Sequence, residues 1–80
     1  MTKVETKPNS ILVGKKLKDL DLAAKMGVDI IAIRRGKELT VNPKGEEAVK
    51  KGDIITARGA PKGVEEFEKL ADGTLQTLEG

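Results

Sequence analysis

Polar residues dominate the first nine positions, Met1 to Asn9, and Pro8 interrupts them. That pattern predicts a flexible lead-in or linker over 1–9. Apolar residues first gather at Ser10-Ile11-Leu12-Val13, and Gly14 closes the run. This is consistent with a first strand. Leu17, Leu20 and Ala24 then recur at helical spacing, with Asp19 in the first turn and Gly27 past the end. A negative charge near a helix start and a glycine after its last turn are the expected termini, so a helix is predicted over 17–26.

The strongest strand signal is Val28-Asp29-Ile30-Ile31-Ala32-Ile33-Arg34-Arg35, apolar on both alternating faces from Ile30 to Ile33. Gly36-Lys37 reverses the chain. Glu38 to Asn42 alternates, with Leu39 and Val41 expected to face inward, and Pro43 ends it. Lys44 to Lys51 is charged and reads as a loop or single helical turn. Gly52-Asp53 is a turn, and Ile54 to Arg58 another strand. Pro61 is well placed to begin a helix across 61–71, with Val64, Phe67 and Leu70 on its buried face and Gly73 as its stop. The remainder, 74–80, is a tail. The order is β-α-β-β-β-α. It predicts an α+β sandwich with helices on one face of a small, mostly antiparallel sheet. The first strand, helix and second strand are compatible with a right-handed crossover.

Length changes this picture. An 80-residue chain buries only about 60% of its unfolded surface. Domains of that size gain stability from disulfides, metals or association. Cysteine and histidine are both absent, which removes disulfides and the commonest transition-metal ligands. Association, or attachment to a larger chain, is left. The same absences, with no tyrosine and a single serine, Ser10, exclude the usual nucleophile–base pairings. The chain reads as a non-enzyme.

Charge is uneven along the sequence. Residues 1–63 hold 14 Lys/Arg and 8 Asp/Glu, whereas 64–80 hold 1 Lys and 5 acids. A basic body ahead of an acidic helix suits an anionic ligand such as a nucleotide phosphate, against the plainer reading of a solvated surface. Phe67 is the only aromatic, so no set of rings exists on which bases would stack, which disfavours nucleic acid as a partner. No apolar run approaches the ~18 residues of a membrane span, and no signal-like core precedes the first strand. A cytoplasmic location, without direct membrane insertion, is expected.

Taken in order, several segments resemble one family. They are the apolar run ending in Gly14, Lys16-Leu17 with Leu20, Gly27-Val28, Ile31-Ala32-Ile33-Arg34-Arg35-Gly36, then Pro43, Gly45-Glu46, Gly52-Asp53-Ile54-Ile55 and Gly59. Over residues ~9–71 the chain is similar to the C-terminal (TrkA-C, RCK_C) domain of TrkA and RCK proteins, regulators of potassium conductance. The resemblance implies a regulatory domain of residues 10–73 with the β-α-β-β-β-α fold and a homodimer whose cleft takes a small ligand. It implies cyclic di-AMP in some members and another nucleotide or a cation in others. It also implies a membrane potassium or cation channel or transporter as partner, or a companion domain in the same longer chain. Family members often place Ser or Thr before the first helical leucine, and Lys16 stands there instead.

The candidate ligand residues follow from this resemblance. Family binders of cyclic dinucleotides tend to carry two aliphatics, an arginine and then an asparagine. Ile30, Ile31, Arg34 or Arg35, and Asn42 resemble that series. Arginine presents a planar fork suited to phosphate, although two arginines at a strand end also serve simply to blunt edge pairing. Asn42 suits a base edge or its own turn. Glu46, Glu47 and Asp53 lack a regular spacing for a calcium site, and no metal is expected. The expected role is binding without chemistry. Its alternatives are a dimerisation module that binds nothing, or a small β domain on nucleic acid.

Overall fold

The computed structural model describes residues 1–78. Four strands, β1 (Thr2–Glu5), β2 (Val28–Arg35), β3 (Glu38–Val41) and β4 (Ile54–Gly59), form one sheet in the order β1-β4-β2-β3. Three helices accompany them: α1 (Leu17–Leu20), α2 (Leu22–Met26) and α3 (Pro61–Asp72). The α+β class holds, with an antiparallel sheet throughout.

The first strand lies elsewhere than expected. The stretch predicted as a lead-in holds β1, whose Val4 faces Ile55 across the ladder. Its alternation of half-buried Thr2 and Val4 with exposed Lys3 and Glu5 is an edge-strand pattern that the lysine and the glutamate disguise. Ser10 to Val13, predicted as a strand, forms turns instead. Ser10 is the reason: its hydroxyl donates to the Leu70 carbonyl (2.7 Å) and accepts from the Leu12 amide (3.1 Å). A serine bonded to the backbone in this way holds a turn against extension. Only Leu12 of the apolar run is fully buried. No parallel pair exists among the described strands, so the crossover between first and second strands does not occur; β1 pairs with β4.

The helix predicted over 17–26 is two short helices. Asp21 between them is left-handed (φ 48°, ψ 48°), a conformation that aspartate tolerates better than most residues. In a continuous helix Leu20 and Leu22 would point apart. The break at Asp21 lets both reach the core, at 0% and 5% exposure, while Ala24 is turned out to solvent.

α3 lays Phe67, Leu70 and Ala71 over the sheet, where they meet Ile33, Ile55 and Ala57 from β2 and β4. Full burial of such side chains is worth about 1.5–3 kcal/mol each for the larger ones. Close approach requires Gly63: a Cβ there would stand 2.2 Å from the Met26 carbonyl oxygen. The tail does not leave the body, since Leu75 and Leu78 pack against the core. Its last two residues, Glu79 and Gly80, lie outside the described residues.

Gly63→Ala therefore drives a methyl into backbone that has no rotamer to yield. Overpacking of this kind costs about 1–3 kcal/mol, or roughly 4–8 °C per kcal/mol in a domain this small. Thermal unfolding of the variant measures it, and an unchanged midpoint contradicts the packing of α3 on α2.

Candidate functional site

Both arginines lie at the end of β2, and the structure separates them. Arg35 turns toward the helix layer and is consumed by the fold. Its Nε and Nη2 donate to the two Asp53 carboxylate oxygens, each at 2.8 Å. Nη1 donates to Glu47 at 3.1 Å, and Nη2 also donates to the Ala48 carbonyl at 3.0 Å. Asp53 is fully buried and also accepts from the Lys50 amide (2.9 Å). Burial is the largest influence on Asp53 and opposes its ionisation, yet the Arg35 fork and the Lys50 N–H together hold its carboxyl below the usual range. Arg35 in turn is raised above its ordinary value, first by its bond to Asp53.

Arg34 faces the opposite way. It sits across from Leu39 on β3 and Ile54 on β4, and directly opposed residues share a face. Two rows cross that outer face: Glu5, Ile54, Arg34, Leu39, and beside it Lys3, Thr56, Ala32, Val41. No described helix lies over it. Leu39 and Val41, predicted to face inward, are 51% and 61% exposed. The reason is a β-bulge between Ile30 and Ala32. The extra residue, Ile31, reverses the alternation, so that Ile33 and Arg35 turn inward while Ala32 and Arg34 turn out with their β3 partners.

Ile31 accepts the Asn42 amide at its carbonyl (2.8 Å). Asn42 is exposed and left-handed (φ 52°), so its side chain leaves the end of β3 in a direction no β-branched residue would take. Ile30 is half-buried and lines a groove of about 250 Å³ with Pro43. Ile31, Arg34 and Asn42 thus lie around the outer side and rim of the β2–β3 hairpin, whereas Ile30, opposite Ala57, faces the helix side. Arg35 does not join them; its reassignment needed the buried partner Asp53, which the sequence offered as a turn residue and as one of three irregularly spaced carboxylates.

The remaining carboxylates considered for a cation are occupied by side chains of the protein. Glu46 bridges Lys16 (2.9 Å) and Lys18 (2.5 Å), which hold its carboxyl below the ordinary range, Lys18 the more. Glu47 and Asp53 belong to Arg35. No described helix is long and apolar enough to cross a membrane.

The sheet order, the helices on one face and the bulged hairpin define a small antiparallel α+β domain. The profile of the TrkA-C domain family matches residues 1–72, and the chain belongs to that family. It is 44% identical over 66 residues to the Ktr system potassium uptake protein C of Bacillus subtilis, covering 82% of this chain and 30% of that protein; it spans under a third of that relative's length. Among solved structures, the RCK C domain of the potassium transport protein KtrA in complex with cyclic di-AMP superposes with a TM-score of 0.76. Identity there is 32%, covering 85% of this chain and 78% of that one. The RCK_C domain dimer of S. agalactiae BusR in complex with cyclic di-AMP shares the fold, with a TM-score of 0.78, 20% identity, and coverage of 86% of this chain and 91% of that one.

Removing the Asp53 charge strands Arg35. Loss of one partner of a buried pair costs about 3–5 kcal/mol; the Arg35 side chain is 32% exposed, and solvent screening trims the expected loss for Asp53→Asn to about 2–3 kcal/mol. The pH dependence has a definite sign. A depressed carboxyl stabilises the fold above its unfolded value, near 4, and that contribution is lost as pH falls through the folded value. Denaturant titrations from pH 6 down to pH 2 should show the wild-type and Asp53→Asn stabilities converging.

Proposed function

We propose that this chain is a non-enzymatic regulatory domain that pairs with a second copy and senses a cyclic dinucleotide, with cyclic di-AMP as the first candidate. Its output is the state of a potassium or other cation channel or transporter, joined in the same longer chain or held as a companion subunit in the cytoplasm. The observation that carries this reading is the uncovered outer face of the sheet. Ile54, Ala32, Leu39 and Val41 form an apolar surface with Arg34 set among them.

A domain this small gains by burying such a surface against a copy of itself. Arg34 makes no hydrogen bond or ion pair among the described residues, so its guanidinium is available to a phosphate. Asn42 stands exposed at the rim. The relatives with cyclic di-AMP support the ligand class, and the potassium-uptake relative supports the process. The one serine hydroxyl, on Ser10, is buried and committed to Leu70 and Leu12. Ligand binding acts by preferring one arrangement of the pair over another.

Two measurements test this. Light scattering should give a dimer, and Leu39→Asp with Val41→Asp should give a folded monomer. Calorimetry should show cyclic di-AMP binding that Arg34→Ala weakens about 10- to 100-fold, the worth of one charge-assisted contact. A dimer that binds no cyclic dinucleotide leaves a bare dimerisation module. Steeply salt-dependent DNA or RNA affinity would replace both readings.

A further inference from the structure

Two lysine-rich stretches far apart in the sequence run side by side in the fold. Gly14 donates its amide to the Val49 carbonyl (2.7 Å), Val49 to Lys15 (2.9 Å), Leu17 to Glu47 (3.0 Å) and Lys18 to Gly45 (3.0 Å). Lys16 and Ala48 form an antiparallel bridge between them. These bonds gather Lys15, Lys16, Lys18, Lys44, Lys50 and Lys51 into one strip, and every one of these lysines is exposed. Along the chain they read as separate solvated charges; the backbone makes them neighbours.

The strip's own carboxylates do not balance it. Glu46 is shared by Lys16 and Lys18, and Glu47 is taken by Arg35. The side chains of Lys15, Lys44, Lys50 and Lys51 make no hydrogen bond or ion pair among the described residues. Like charges held together destabilise the fold until something neutralises them. The residue types narrow the partner. The strip's cations are all lysines, with neither an outward arginine fork nor an aromatic ring among them, so it lacks the groups that grip one phosphate in two places or stack a base. The exposed large hydrophobic residues of the described chain, Met1, Leu39 and Val41, lie outside it, so it has nothing to insert into hydrocarbon. Compact point charges without wedge or fork suit a broad layer of negative charge.

We propose that this lysine strip docks the domain on the anionic lipid surface of the membrane that holds its channel or transporter, by charge alone and reversibly. The inference goes beyond the ligand reading and takes from it only that the domain works beside a membrane, whose cytoplasmic leaflet carries anionic lipids. A lysine close to such a surface raises binding about fivefold, so the four unpaired lysines together are worth on the order of several hundred-fold. The strip is separate from Arg34, which stands on the outer face of the sheet. Docking and ligand binding thus use different cations.

Co-sedimentation with vesicles tests this, using phosphatidylcholine alone and a two-to-one mixture of phosphatidylcholine with phosphatidylglycerol. The wild-type chain should bind the mixed vesicles at low salt and not the neutral ones, and added salt should release it as the screening length shortens. The fourfold variant Lys15→Gln, Lys44→Gln, Lys50→Gln, Lys51→Gln should lose at least about 100-fold in binding. The control Lys25→Gln, Lys37→Gln, Lys62→Gln, Lys69→Gln removes the same charge outside the strip and should stay within about tenfold of wild type. Circular dichroism checks that both variants fold. No binding to the mixed vesicles, or an equal loss in the two variants, overturns the docking strip. Tighter binding to duplex DNA than to the mixed vesicles at the same salt replaces the lipid with nucleic acid and also overturns it. Cyclic di-AMP calorimetry is a separate measurement, so the sensor reading stands or falls without deciding this one.

Discussion

Asp53 has no exposed surface and keeps its charge, and this is possible only because Arg35 grips both its oxygens. An isolated carboxylate at that depth would cost several kcal/mol. The pair joins three segments that are distant along the chain: the end of β2, the charged loop over 44–51 and the turn into β4. Glu47 and the Ala48 carbonyl complete the guanidinium's set of acceptors. Once Arg35 is anchored inward, Arg34 must point outward. The residue that faces the uncovered side of the sheet is thereby chosen by a bond made on the other side.

The bulge at Ile31 works in the same direction. A strand that kept strict alternation from Val28 would put Ile30, Ala32 and Arg34 on one face. The structure instead holds Val28 and Ile30 on the helix side before the bulge and Ile33 and Arg35 on it afterwards. One inserted residue thus serves two purposes. It carries a core ladder past the point where β3 begins, and it gives β3 an apolar outer surface that no described helix covers. The left-handed Asn42 and the half-buried Pro43 then turn the chain away beside the groove.

Small residues permit the layers to meet closely enough for this core. Gly59 and Gly63 lie against the backbone of Gly27, Val28 and Met26, with no room for a methyl at either position. The helix layer is correspondingly thin: α1 and α2 are each a turn or so, and α3 alone spans the sheet. The domain meets the shortage of core in an 80-residue chain by tight contact on one face, while Leu39 and Val41 stay exposed on the other.

The sequence by itself determined the class of fold, the β2–β3 hairpin, β4, α3 and its glycine stop, and the family. Each of these rests on local signals: β-branched runs, turn glycines, a proline at a helix start, apolar residues at helical spacing. It also placed Ile30, Ile31, Arg34 and Asn42 together on one hairpin. Tertiary structure decided what depends on partners far along the chain. A polar edge strand at Thr2–Glu5 is legible only beside β4, and the Ser10 turn only beside Leu70. The break at Asp21 answers to two leucines competing for one core. The fates of Arg34 and Arg35 hung on a bulge and on a buried aspartate 18 residues from Arg35, and composition and periodicity carry neither, because a one-residue shift in register inverts every side chain after it.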